Sequence, residues 1–336
     1  MELKPSREAF CKLAAETNLI AVAKEINMDL DTPVSVYYKL VGEKKGFILE
    51  SVDTTHQQFG RFSFIGAEPF ARLQVFKDKL MINENGLMKC IMGEPVETIK
   101  TYMQGYRPAV EDASLPLANG GMVGYLNYDI VATFDRVRGM ELGEEELLGQ
   151  FMICRVLVVY DALHNSARLI CLADTKGRDP NEAYDAVAEK IAKVEARLAA
   201  PLASQAGEAA KRREKVDFLK RFGKAPADFL QAIHKAKEHI FAGDIFQVVP
   251  SRQFREKITK PCFHFYRRLR QVNPSPYMFY FNFGPVKLVG ASPEMLVKVA
   301  GDTVYTYPIS GTRRRGRDAA EDAALAKDLK GDTKEC

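Results

Sequence analysis

With 336 residues, 46% hydrophobic and 27% charged, the chain has the makeup of a globular protein of about two domains. A net charge of +4 is too small to supply the broad basic field of a nucleic-acid or membrane-surface protein, and no apolar run reaches spanning length. The opening MELKPSREAF lacks the apolar stretch of a secretory signal. The six cysteines (Cys11, Cys90, Cys154, Cys171, Cys262, Cys336) form no CxxC pair, which points to free, mostly buried thiols in a reducing cytoplasm.

Residues 6–26 carry apolar positions at helical spacing and predict an amphipathic helix. From 33 to 83 the runs PVSVYYKL, GFILESV, RFSFIG, PFARLQVF and KLMIN read as an antiparallel meander. GGMVGYLNYDIV (120–131) predicts a strand leading into a helix, and residues 151–174 a hairpin about His164 and Asn165. Tyr184, Val187, Ile191, Val194 and Leu198 place one apolar stripe on a helix over 181–198. Residues 200–216 are small, polar and without period, the best linker in the chain, which predicts a first domain over 1–199 and a second over 217–336. There the pattern restarts: a helix over 226–242 ended by Gly243, a strand in DIFQVVPSRQF, a helix in PCFHFYRRLRQV, and strands in YMFYFNF, KLVGASPEMLVKV and TVYTYPIS. The fold class expected is α+β, with large mixed or antiparallel sheets flanked by helices.

Several positions ask for chemistry. Arg313, Arg314 and Arg315 follow ISGT at a strand end. They read as a solvated turn, a nucleic-acid patch lacking aromatic partners, or an anion-binding loop in which Gly311 and Thr312 offer backbone N–H groups and a hydroxyl to a carboxylate. Gln247 shares a strand face with Ile245 and Val249, so it is either a structural amide or a polar group lining a pocket. LESVD sets Glu50 and Ser51 at a strand end, and NPSPYMFYFNF fixes a stiff entry into an aromatic strand. The five histidines show no metal-ligand spacing, GGMVGY is not a dinucleotide fingerprint, and Ser310 lies in no GxSxG elbow.

LESV with GRFSFIG, GGMVGYLNYD, GDIFQVVPSR, NPSPYMFYF, LVGASPEMLVKV and PISGTRRRG, in that order, resemble the chorismate-utilising enzymes, within them the anthranilate synthase component I branch. The resemblance runs from about residue 47 to the end. Isochorismate and salicylate synthases carry a water-activating lysine where this chain has Gln247, and common aminodeoxychorismate synthases a nucleophilic lysine where it has Ser310. The branch lacking both uses ammonia. The resemblance therefore implies conversion of chorismate and ammonia to anthranilate and pyruvate, with ammonia from a glutamine amidotransferase subunit (component II) and Mg2+ held by glutamates. Chorismate binding falls to Gly311 and Thr312, with Thr312 and Gln247 in the catalytic site. Feedback binding of tryptophan falls to Ser51, Pro276, Tyr277 and Met278. Arg314 departs from a proline common in the family. The family's metal glutamates and catalytic histidine lie beyond residue 336, so no metal ligand is assigned, and the chain is expected to be a fragment lacking a C-terminal third. The rival expectation is a catalytically inactive module that senses tryptophan or binds a partner.

Overall fold

The computed structural model describes residues 2–52, 61–109, 120–202, 222–308 and 311–332, and one sheet dominates them. Its strands are β1 (Leu19–Asn27), β2 (Gly46–Glu50), β3 (Phe62–Val75), β4 (Lys79–Glu84), β5 (Leu87–Met92), β6 (Met122–Leu126), β7 (Gly149–Asp161), β8 (Ser166–Asp174), β9 (Tyr277–Asn282) and β10 (Lys287–Ser292). Among the described residues they form a single ten-stranded sheet with spine β1-β8-β7-β3-β2-β9-β10, and every pair is antiparallel. Two long strands organise it. β7 pairs with β3 along nearly its whole length, while the first part of its other edge takes β6 and the rest takes β8. β3 likewise gives its first half to β2 and its second half to β4, and the change of partner coincides with a bulge between Pro69 and Ala71.

Helices α1 (Arg7–Leu13), α2 (Pro33–Leu40), α3 (Pro95–Gln104) and α4 (Pro180–Ala199) surround the first part of this sheet. The stripe expected on α4 is the one that is buried: Tyr184, Val187, Ile191, Val194 and Leu198 all face inward. The hairpin about His164 and Asn165 also forms, with Asn165 at φ 49, the left-handed conformation that asparagine tolerates.

Three expected elements differ. The helix over 6–26 stops at Leu13, and residues 19–27 are instead β1, paired over their full length with β8. Leu19, Ile20, Val22 and Ile26 satisfy either period, and sheet pairing decides between them. PVSVYYKL is helix α2 rather than a strand. Thr32 and Ser35 form a reciprocal capping box and Pro33 occupies the first turn, so local start signals outweigh the β-branched content. GDIFQVVPSRQF forms no strand: residues 244–259 run without regular structure.

The chain divides into two compact units, 203–262 and the remainder. The first contains α5 (Ala227–Ala242), closed by Gly243 at φ 79 as expected for a helix stop. Most of the linker expected over 200–216 lies outside the described residues. Residues 263–332 do not stay with the segment that precedes them. α6 (Cys262–Val272) leads into β9, which pairs with β2, so sheet pairing joins this stretch to residues 1–202. A separate two-stranded ribbon, β11 (Lys298–Ala300) with β12 (Thr303–Tyr305), and helix α7 (Ala319–Gly331) complete the described chain. Of the thiols, Cys154 and Cys171 are buried, Cys11 and Cys262 half-buried and Cys90 exposed, so burial is less general than expected; all five are free. Burial pushes the Cys171 thiol up to about 12.

Candidate functional site

The two segments expected to meet over an effector do meet, because β2 and β9 are neighbours. Glu50, the last residue of β2, stands opposite Met278 of β9, and Ser51 follows directly on it. The backbone N–H of Val52 donates to the carbonyl of Ser275 at 3.0 Å, and the Ser275 hydroxyl donates to the carbonyl of Ser292, which ties the proline-stiffened entry to β10. Met278 is buried, while Pro276 and Tyr277 are half-buried. Burial raises the Tyr277 hydroxyl pKa. At the junction the Ser51 Oγ is buried and has no hydrogen-bond partner among the described residues. A buried hydroxyl without a partner is uncommon and costs stability, so it calls for a group that completes it.

Helix α6 covers the same strand end. Glu50 is 3% exposed, accepts a hydrogen bond from the Tyr266 hydroxyl at 2.5 Å, and is paired with Arg270 at 3.1 Å. Burial raises the Glu50 pKa, against the opposing pull of Arg270 and the Tyr266 hydrogen bond. Neither partner was expected from sequence. Their spacing, one helical turn apart on PCFHFYRRLRQV, was the available sign that one face of α6 presents both. Phe263, at the start of that face, stacks on Tyr37 of α2 with centroids 4.1 Å apart and meets Tyr280 of β9 at 5.1 Å.

The arginine turn is resolved by the helix after it. Asp318 caps α7, and Glu321 and Asp322 sit in its first turn, where the helix dipole favours carboxylates. Arg315 makes a two-pronged pair with Asp322 at 2.9 and 2.6 Å, Arg314 pairs with Glu321, and Arg313 reaches Asp328 at 2.8 Å and Asp332 at 2.6 Å. The backbone N–H groups of Gly316 and Arg317 donate to the same first-turn carboxylates. All three arginines are therefore neutralised within their own segment, which removes the free basic patch a nucleic-acid reading needs. Thr312 is exposed and Gly311 half-exposed just before this knot, and Ser310 lies outside the described residues.

Gln247 belongs to the other unit, where it is exposed rather than set among apolar neighbours; Phe246 is 100% and Val249 77% exposed. The alternation of the run is present, but among the described residues no strand pairs with it. The structure thus brings Ser51, Pro276, Tyr277 and Met278 together and keeps Gly311 and Thr312 on one turn, while Gln247 belongs to the other compact unit. Among the described residues there is no group of three or more His, Cys, Asp or Glu side chains that could hold a metal ion. No helix of the described residues is long and apolar enough to cross a membrane.

An antiparallel sheet of this size, flanked by helices and carrying the paired LESV and NPSPYM segments, has known counterparts. Residues 46–336 match the model of a family described as chorismate binding enzyme, and the chain belongs to that family. It is 35% identical over 331 residues to anthranilate synthase component 1 of Acetivibrio thermocellus, covering 96% of this chain and 66% of that protein. A crystal structure of anthranilate synthase component I from Streptococcus pneumoniae TIGR4 superposes with a TM-score of 0.63 at 26% identity, covering 92% of this chain and 64% of that one. The menaquinone-specific isochorismate synthase MenF of Escherichia coli, at 13% identity and a TM-score of 0.53, shares the fold and covers 98% of this chain and 64% of its own. The chain spans about two thirds of the length of these relatives.

Proposed function

We propose that this chain acts in an anthranilate synthase as the subunit that takes chorismate and ammonia to anthranilate, pyruvate and water. Ammonia comes from a glutamine amidotransferase partner, tryptophan acts as feedback inhibitor, and the reaction runs in the cytoplasm. Ammonia adds to the ring as the 4-hydroxyl leaves, and the enolpyruvyl group then departs as pyruvate while the ring becomes aromatic. Gln247 and Ser310 supply no amine of the chain's own, which favours an external nitrogen nucleophile. Gly311 and Thr312 are assigned to a chorismate carboxylate, with the Thr312 hydroxyl donating to it. Mg2+, when bound, would neutralise substrate carboxylate charge, and no described side chain is assigned to it.

The observation that carries the regulatory half is the partnerless Ser51 hydroxyl beside the Pro276–Met278 segment. An amino-acid ligand supplies the ammonium or carboxylate such a hydroxyl lacks, and Met278 offers a polarisable surface to an indole. L-tryptophan at millimolar concentration is expected to raise the melting temperature of the chain by several degrees through binding linkage. Ser51→Phe replaces the hydroxyl with a bulky ring and should abolish the rise, and Met278→Thr should reduce it. Equal responses in parent and both variants would move the effector site elsewhere.

Conversion is a separate test. With residues 244–259 unpaired and Gln247 exposed, the 336-residue chain by itself should form no fluorescent anthranilate from chorismate, ammonium and Mg2+. Joined to the remaining part of a full-length relative, it should do so. In that chimera Thr312→Ala is expected to lower kcat/KM by a factor on the order of ten, the loss of one hydrogen bond to a charged group. An unchanged kcat/KM removes Thr312 from the substrate site.

A further inference from the structure

An open cleft of about 560 Å3 lies between the turn entering β2, the bulged middle of β3 and the β4–β5 turn. It is lined by Lys44, Lys45, Arg72, Arg155 and Arg197, five cations against the single carboxylate Glu68. That carboxylate is already engaged, by Lys190 at 2.7 Å and by Arg197 at 3.3 Å, and Arg197 also donates to the carbonyls of Lys39 and Leu40 at 3.2 and 2.9 Å. Lys44, Lys45, Arg72 and Arg155 are left with no carboxylate partner among the described residues.

Arg155 is positioned rather than loose, and Lys45 is packed. Arg155 donates to the Asn85 side-chain oxygen at 2.9 Å and lies over the Phe70 ring at 4.9 Å, which fixes its plane. Asn85 is held in the left-handed region at φ 51, in the tight turn that begins β5. Arg72 follows the β3 bulge, and Lys45 is packed toward Gly284, whose own added Cβ would meet the lysine Cε at 3.0 Å. The Lys45 pKa is lowered, first by burial and then by the Arg72 charge, as expected where cations crowd without a counter-ion. Unneutralised like charges on rigid strands are an anion site in waiting.

We propose that this cleft binds a small phosphate-bearing polyanion, gripped by the Arg72 and Arg155 guanidinium groups with Lys45 as the third contact. Two planar forks match the paired oxygens of a phosphate, and the cleft is of small-molecule size. The site is distinct from the Ser51 region. Lys45 precedes β2 and Ser51 follows it, so the strand between them holds the two roughly 20 Å apart, six steps of about 3.3 Å. The proposal does not depend on the anthranilate synthase reading.

Calorimetric titration of the purified chain with inorganic pyrophosphate at low salt tests it. One-to-one saturable binding is expected, with the affinity at least tenfold weaker in Arg72→Gln and in Lys45→Gln and unchanged in Arg136→Gln, an exposed arginine outside the cleft. Both cleft variants should melt without ligand within a degree or two of the parent (roughly the span of a neutral surface change), so weakened binding reports the site and not unfolding. Absence of saturable binding, parent-like affinity in both cleft variants, or equal weakening in Arg136→Gln overturns the proposal. Citrate binding as tightly as pyrophosphate would overturn the phosphate assignment.

Discussion

Phe263→Ala is expected to lower the unfolding free energy by about 3 to 5 kcal/mol, the largest single loss foreseen for this chain. Phe263 is 2% exposed and meets four rings: Tyr37 at 4.1 Å, Tyr38 at 4.9 Å, Tyr280 at 5.1 Å and Tyr266 at 5.4 Å. Those rings come from α2, α6 and β9, so the side chain packs the start of residues 263–332 against α2, beside the β2–β9 pairing. Its removal leaves a cavity walled by three helical tyrosines and a strand, elements that cannot all close in at once. The consequence reaches the candidate effector site, because α6 also carries Tyr266 and Arg270 to Glu50. Urea denaturation should show the midpoint falling with little change in slope. Phe263→Leu, which keeps most of the volume, should cost less than about 1.5 kcal/mol. Equal costs for Leu and Ala would mean that the loss comes from the ring stack and not from the vacated volume.

Arg270→Met should destabilise the chain by about 2 to 3 kcal/mol at pH 8 and by much less near pH 5. Breaking a fully buried pair costs about 3 to 5 kcal/mol, and the partial exposure of Arg270 reduces that figure. The sign follows from Glu50. Its pKa in the folded chain is raised, chiefly by burial, so the native state takes up its proton more readily than the unfolded chain. The stability linked to that proton is present below the unfolded value and is lost as pH rises through the folded one. Without Arg270 the carboxylate form is costlier still, while the protonated form loses little. The deficit should therefore open with rising pH, and Glu50→Gln combined with Arg270→Met should remove the pH dependence. Denaturation midpoints at several pH values measure this; a deficit independent of pH would show that the Glu50 charge is not its source.

Much of this architecture is legible in the residues. The 3-4-3-4 stripe of α4 admits one reading, and the hairpin turn at His164 and Asn165 interrupts two unmistakable strands. Where sequence and structure part, the reason is physical. Residues 19–27 fit both periods, and only β8, some 150 residues away, selects the strand. In α2 the β-branched and aromatic content of VSVYY suits a strand, but the capping box Thr32–Ser35 and Pro33 start a helix. At 244–254 the alternation is real, but among the described residues no strand pairs with this run and it forms none. The meeting of Ser51 with Pro276–Met278 followed from family resemblance, not from the residues themselves. The partners of Glu50 come from residues more than 200 positions away and look, locally, like an ordinary helix face. A hydroxyl without a partner has no sequence signature at all.

The effector reading is the claim on which the proposed function rests most heavily, and the composition gives it a clean test. The chain contains no tryptophan, so the indole emission of added L-tryptophan is not masked by the protein. Its fluorescence anisotropy, followed as the chain is titrated in, should rise to a plateau at one ligand per chain, and the rise should vanish with Ser51→Phe. Anisotropy that stays flat with the parent, or that rises equally with Ser51→Phe, contradicts a tryptophan site at the β2–β9 junction.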